Sequence, residues 1–490
     1  MNRQELLQAV AQEVRALLDD LPRPEQKALA GLVCGVVCEE RAHLSRASAG
    51  MPGAAQDRSK LRRCQRLLAN PRFDVARAQR RLLRRVLATR RGRLDLLVDA
   101  TTTSASAHQA GTVTLCFALA WHGRAIPLLW RSWVAAAPGQ DWRGALRAMS
   151  QTLQELVAEV APAGTPQAVV VLADRGLSGS TLARLAQERG WHYLLRVTRR
   201  TRVRTPDGAV RELGALVPTV GARACLRQVQ VYAPRRKVGS GAGGWASVWE
   251  EALTTQVVAV WRAQDQEAWL LVTDLPASVA RCAEYRRRTW EEELFRDLKG
   301  LGWHWEQSRL RRPERVERLL LALALATLWM LGLGQRVLRR GARHLVEDRA
   351  RRCYSVFQLG LRWLRRCLTN DQRVQVTFQL LPIVLAPCPK LSCSQLWGGG
   401  WGVRALAMIS STAGMSRNIA SLLKRMTRRP PRGESRLAHC VIAPLERVDL
   451  AIYFHNQSGR MTVEVHYKAC DEVLAAKPRA TQPPIAYLLP

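Results

Sequence analysis

Three acidic residues and four companions set the chemical options of this 490-residue chain. Asp99 closes the apolar run LDLLVD, Asp174 closes AVVVLAD, and Glu292 lies within YRRRTWEEELFRDLK, residues 285–299. Three carboxylates without a His or Cys partner suit hard divalent cations, Mg²⁺ or Mn²⁺. Two such ions roughly 3.5–4 Å apart can activate water or a hydroxyl and stabilise the leaving oxygen of a phosphodiester. At 3.6 residues per turn, Tyr285, Arg288, Glu292 and Lys299 share one polar stripe. Trp290, Leu294, Leu298 and Leu301 fall opposite, where they are expected to pack on a core. Arg288 and Lys299 beside Glu292 can position phosphates, and Tyr285 can add a hydrogen bond or a stacking face. An ordinary amphipathic helix with a solvated face satisfies the same spacing, and each Asp alone is explained as a turn or N-cap residue. What favours a site is the combination: two carboxylates at strand ends joined by a third on a later helix. No Ser stands in a nucleophile-elbow context and no Walker-type glycine loop is present, which argues against a serine hydrolase and an ATPase.

The elements that must position these residues follow from periodicity. Residues 1 to about 90 read as helices over Gln4–Leu18, Pro24–Glu40 and Lys60–Leu68, with a turn at Ala49–Ala55. A basic run, RAQRRLLRRVLATRRGR from Arg77 to Arg93, reads as a phosphate-binding helix or as a solvated helix face. At Leu94 the pattern turns to strands: Leu94–Ala100, Thr112–Trp121 and Ile126–Leu129, the last two parted by the turn HGR. Helix Trp142–Val160, strand Ala168–Ala173, helix Ser180–Arg189 and strand His192–Val197 complete a mixed sheet covered by helices. If the strands ending in Asp99 and Asp174 are neighbours, their side chains converge. Residues from about 197 to 279 read as a β-rich insertion, with strands Arg227–Tyr232, Gln256–Trp261 and Glu267–Val272 and a glycine-rich loop Gly239–Gly244. Tyr354–Leu368 reads as an amphipathic basic helix, and beyond about Asp371 neither periodicity nor motif is legible.

Composition bounds the partners. With 75 Lys+Arg against 40 Asp+Glu, the formal net charge is +35, which points to a polyanion, nucleic acid before an anionic membrane surface. The excess is mostly Arg, so GC-rich coding accounts for part of it. The twelve Cys show no CxxC pair and no zinc spacing; Cys34 and Cys38, four apart, read as reduced thiols of a buried helix. The start of the chain, MNRQELLQAVAQEV, reads as an amphipathic helix without the apolar core of a signal peptide. Leu319–Gly334, LLLALALATLWMLGLG, falls short of the roughly twenty residues of a membrane span and reads as a buried core helix.

The run from Tyr285 to Lys299 resembles the Tyr-(2)-Arg-(3)-Glu-(6)-Lys signature of the DDE transposases in the insertion-sequence-four family, and Asp99 in LLVDATT and Asp174 in VVLADRG resemble that family's two catalytic Asp contexts. The resemblance covers roughly residues 1–370 and implies an α/β fold: a ribonuclease-H-like mixed-sheet core at 93–370, interrupted by the β-rich insertion at about 197–279. A helical DNA-end-binding domain at 1–92 would precede it, and a C-terminal segment of unassigned role, 371–490, would follow. It implies Asp99, Asp174 and Glu292 as a catalytic triad for Mg²⁺, with Mn²⁺ able to substitute. Arg288, Lys299 and Tyr285 would hold DNA, and Trp269 would stack on a flipped base during hairpin formation. A cut-and-paste enzyme is implied, acting as a homodimer on double-stranded DNA at its element's terminal inverted repeats and on target DNA. The expected location is the bacterial cytoplasm, on the nucleoid when DNA-bound, with no membrane partner. Two other readings are another two-metal nuclease such as a resolvase, and a catalytically inactive transposase-derived DNA-binding protein or repressor.

Overall fold

The computed structural model describes residues 2–90, 92–103, 111–135, 142–161, 168–177, 179–237, 245–348 and 353–380, and the backbone of four further strands between 438 and 488. Five helices come first: α1 (Arg3–Leu17), α2 (Arg23–Glu39), α3 (Leu44–Ala49), α4 (Asp57–Ala69) and α5 (Val75–Ala88). Helix α1 buries Leu6, Val10, Val14 and Leu17, one stripe at helical spacing, and Asn2 caps it by accepting the Glu5 N–H at 2.9 Å. Helix α2 is apolar on almost every side and lies inside the helical layer, with Cys34 buried and its thiol pushed up by burial. Helix α3 was not legible as periodicity because it spans only six residues.

A three-stranded meander follows: β1 (Leu94–Thr102), β2 (Thr112–Trp121) and β3 (Arg124–Val134). His122 and Gly123 join the last two with φ of 43° and 80°, the left-handed pair that a tight hairpin requires. Then come α6 (Trp142–Val160), β4 (Val169–Ala173), α7 (Ser180–Glu188) and β5 (His192–Arg196). The β-rich stretch supplies β6 (Arg202–Arg204), β7 (Val210–Glu212), β8 (Arg223–Val231), β9 (Arg235–Lys237), β10 (Trp245–Ser247), β11 (Leu253–Val260) and β12 (Trp269–Thr273). After it come α8 (Ala280–Tyr285), α9 (Thr289–Leu298), α10 (Pro313–Arg339) and α11 (Val356–Thr369).

Ten strands form one sheet in the order β3-β2-β1-β4-β5-β12-β11-β8-β6-β7. Within it β1, β4 and β5 run parallel and the other pairings are antiparallel, an arrangement consistent with a ribonuclease-H-like core. The β-rich stretch therefore extends the free edge of β5, apart from the ribbon β9–β10. The Gly239–Gly244 loop lies outside the described residues.

The arginines of α5 do not form a free phosphate-binding face. Arg77 pairs with Asp20, Arg80 with Glu155 (2.8 Å), Arg81 with Asp19 (2.9 Å), Arg84 with Glu159 (2.6 Å) and Arg85 with Glu13 (3.4 Å). Their partners come from α1, from the α1–α2 connection and from α6, so folding brings carboxylates to a run that reads as unpaired in the sequence.

Helix α10 is apolar enough and long enough to span a membrane by length and composition, but 89% of its most apolar window is buried in the protein. It packs against α11 at two glycines: a Cβ on Gly360 would run into the Met330 carbonyl, and one on Gly334 into that of Val356. The chain divides into units Met1–Ile383 and Val384–Pro490. In the second, β13 (Ala438–Val441), β14 (Val448–Gln457), β15 (Arg460–Ala469) and β16 (Ala486–Leu488) form an antiparallel sheet in that order, in a region where the sequence suggested no elements. Gly360→Ala is expected to lower stability by about 1–3 kcal/mol through overpacking at the α10–α11 crossing. Thermal or urea unfolding checks this, and an unchanged midpoint refutes the close-approach role.

Candidate active site

The parallel register of β1 and β4 decides where two of the three carboxylates lie. Val98 stands opposite Ala173, so Asp99 and Asp174 leave the ends of this pairing side by side, about one strand spacing (~4.8 Å) apart. Asp95, Leu97 and Asp99 share one face of β1 by the two-residue period. Asp95 ties that face to the segment bearing Glu292. It bonds Arg287, and Arg93 bridges Asp95 (2.6 Å) to Glu284 of α8 (2.8 Å).

That segment is not the single helix that periodicity predicts. A tight 3-10 turn, Arg286–Arg288, separates α8 from α9. Tyr285 is buried, and because a 3-10 turn stacks residues three apart it stays on the side of Arg288; its hydroxyl donates to the Asp174 carboxylate (3.3 Å) and the Ala173 carbonyl (3.4 Å). Burial, reinforced by Asp174, pushes its phenol far up, so it stays protonated and a donor. Helix α9 ends at Leu298, leaving Lys299 as its C-cap, where it donates to the Thr102 carbonyl (2.8 Å) and pairs with Glu306 (3.4 Å). Leu294 and Leu298 are buried as expected, but Leu301 is 59% exposed because it lies beyond the helix end. With Glu292, Phe295, Arg296, Lys299 and Gly300 it lines an open cavity of about 560 Å³.

Arg288 is the centre of the arrangement. Its guanidinium donates to Asp99 at 2.9 Å, lies 3.5 Å from Asp174 and bonds Glu292 one helical turn on. Burial would lower its pKa, but Asp99 and Asp174 outweigh burial and raise it. Burial raises the pKa of Asp99 in spite of Arg288 and of the bond it accepts from the Ala100 N–H (2.8 Å). The donor types fit a hard divalent cation, all oxygen with no nitrogen or sulfur. Among the described residues, no group of three acidic, His or Cys side chains stands ready to hold a metal ion, and the carboxylates are gathered around the guanidinium instead.

One residue beneath the site was missed by sequence reasoning. Glu291 is fully buried, and among the described residues neither of its oxygens meets a donor in hydrogen-bond geometry although the Asp99 main chain faces it. Burial, then the Asp99 charge, push the pKa of its carboxyl well above the usual carboxylate range. The signal was the run Glu291-Glu292-Glu293, since three successive helical residues cannot all face solvent on an anchored helix.

Trp269, at the start of β12, is partly buried and meets Tyr285 edge-on at 5.5 Å between centroids. Arg262 and Arg196 lie over its ring at 4.7 and 5.7 Å, and Arg196 pairs with Glu267 together with Arg175. The insertion thus puts an aromatic face and cations one residue away from Asp174.

Residues 143–329 match the family model described as the transposase DDE domain. This match supports a DDE transposase. It takes in Asp174, Trp269, Tyr285, Arg288, Glu292 and Lys299, and it starts after Asp99. No curated protein matches the chain.

Two predictions arise from the anchoring of α9. Asp297, buried beside Arg124 (3.2 Å), is pushed up to about 7 by burial against the pull of Arg124. A raised carboxyl contributes stability in full below pH ~4, and that contribution is lost as pH rises through about 7. Asp297→Asn, permanently neutral, should therefore raise stability by on the order of 1–3 kcal/mol at about pH 8 and by nothing at about pH 4; melting curves at both values decide it. Arg288→Ala removes the cation that three carboxylates share. Without divalent ions it should cost about 1–3 kcal/mol, and Mn²⁺ or Ca²⁺ should raise its melting temperature more than that of the wild type. An equal response of the two proteins refutes the counter-ion role.

Proposed function

We propose that this DDE transposase cuts and joins DNA strands at the terminal inverted repeats of its own insertion sequence, in the manner of the insertion-sequence-four family. The observation that carries the reading is the gathering of Asp99, Asp174 and Glu292 around Arg288 where the parallel pairing of β1 with β4 stops. Asp99, Asp174 and Glu292 would hold Mg²⁺ or Mn²⁺. When bound, such ions supply activation of a water or 3′-hydroxyl and stabilisation of the leaving oxygen.

The remaining work falls to the chain's own residues. Arg288, released from the carboxylates, reaches a phosphate of the strand to be cut with a planar two-pronged donor. Lys299 sits at the rim of the cavity that Glu292 lines and adds a point charge to the same backbone. Tyr285 orients Asp174 as a neutral donor. Trp269 offers a face for an extruded base during hairpin formation in a cut-and-paste pathway, with Arg196 and Arg262 drawing the flanking phosphates. The helical domain binds the element end. Within it, Arg58, Arg62, Arg63 and Arg66 of α4 are exposed and have no carboxylate partner among the described residues, which favours α4 over α5 as the phosphate-facing helix. A homodimer would synapse two ends.

The test is cleavage of a labelled duplex carrying the element's end, with Mg²⁺ or Mn²⁺, by the wild type and by Glu292→Ala. Losing a direct ligand should cost more than about 100-fold in rate with end binding retained. Equal cutting by the variant overturns the site assignment. Binding without cutting by both proteins favours the transposase-derived DNA-binding protein.

A further inference from the structure

Helix α10 carries a second basic feature, lined by none of the three carboxylates. At its C-terminal end Arg336, Arg339 and Arg340, with Gln375, line an open cavity of about 370 Å³. None of the three arginines has a carboxylate partner in ion-pair contact among the described residues. They act on one another: burial and the charges of Arg340 and Arg339 together lower the pKa of Arg336. The carboxylate whose charge acts on Arg336 is Glu13, and it is already engaged by Arg85 (3.4 Å) and by the Phe378 N–H (3.0 Å).

Cations at a helix C-terminus are favoured by the helix dipole, which would account for exposed Arg339 and Arg340. It does not account for Arg336. Its Nη1 is buried and meets no acceptor among the described residues, an arrangement that costs free energy unless an acceptor completes it, and an anion is the acceptor that three cations favour. Three guanidiniums around one cavity, one of them with a buried unmet donor, match the oxygens of a phosphate in number and in fork geometry.

We propose that the Arg336–Arg339–Arg340 cavity is a phosphate-binding site. Its ligand class is the phosphoryl oxyanion, either a phosphodiester of duplex DNA or a free phosphate. The site does not depend on the carboxylate chemistry.

The test uses the full chain, with the triple variants Arg336→Gln/Arg339→Gln/Arg340→Gln and Arg336→Lys/Arg339→Lys/Arg340→Lys. Melting temperature is read in pyrophosphate against chloride at equal ionic strength, and duplex DNA binding is read as a function of salt. Wild type should melt higher in pyrophosphate, and the Gln variant should lose that shift. If DNA is the source, the Gln variant should also lose about two to three from the salt slope of DNA binding, while the Lys variant keeps it. Loss of the pyrophosphate shift with an unchanged DNA slope assigns the site to free phosphate. Wild type melting equally in both anions, with the same DNA slope in all three proteins, overturns the proposal. Should the Gln variant not fold, the wild-type anion comparison and the Lys variant still decide: no anion shift in wild type and no tighter fork-dependent shift over Lys refutes the site.

Discussion

One guanidinium shared by three carboxylates is the interaction on which the site depends. Asp99, Asp174 and Glu292 come from a strand, a strand end and a helix far apart in the chain, and their like charges oppose close approach. Arg288 removes that opposition by donating to or facing all three. Its position is in turn set from outside the site. Arg287 next to it is held on Asp95, four residues before Asp99 on the same face of β1, while Arg124 of β3 meets Glu293 and Asp297 on the far side of α9. Neighbouring residues of one short turn thus read two positions of one strand, and the register of α9 against the sheet follows.

The sheet supplies the second half of the frame. Parallel pairing of β1 with β4 makes Asp99 and Asp174 neighbours, and the β-rich stretch joins the same sheet through β12 against β5. That pairing brings Trp269 to the edge of the Tyr285 ring, so the aromatic face and the phenol that bonds Asp174 belong to one packed cluster. The match to a transposase DDE domain over residues 143–329 spans this cluster and the helix that follows.

The large positive charge is unevenly available. On α5 it is consumed in bridges that fasten the helical layer to α1 and α6, whereas the four arginines of α4 and those at the end of α10 keep theirs without carboxylate partners among the described residues. An excess of arginine in a composition therefore says that an anion is wanted somewhere, and only the pairing says where.

Much of this was legible in the sequence because it rests on local periodicity. The apolar start of β1, the strand that ends just before Asp174 and helix α6 lie where alternation and apolar runs put them, since a two-residue or 3.6-residue repeat needs no distant partner to be read, whereas β1 runs past Asp99 to Thr102 because β2 continues to pair with it. The burial of Leu319–Gly334 was expected, but its length did not decide it: the helix runs 27 residues, and packing buries it. What the sequence could not decide were facts set by contacts across long separations. The break at Arg286–Arg288 arises where Arg287 reaches back to Asp95, nearly two hundred residues away, and Tyr285 is buried against Asp174 rather than solvated. The inward turn of Glu291, the exposure of Leu301 and the pairing of the α5 arginines depend on which face a neighbour covers. A period names the faces of an element; only the packed neighbours decide which of them meets the core, a carboxylate or water.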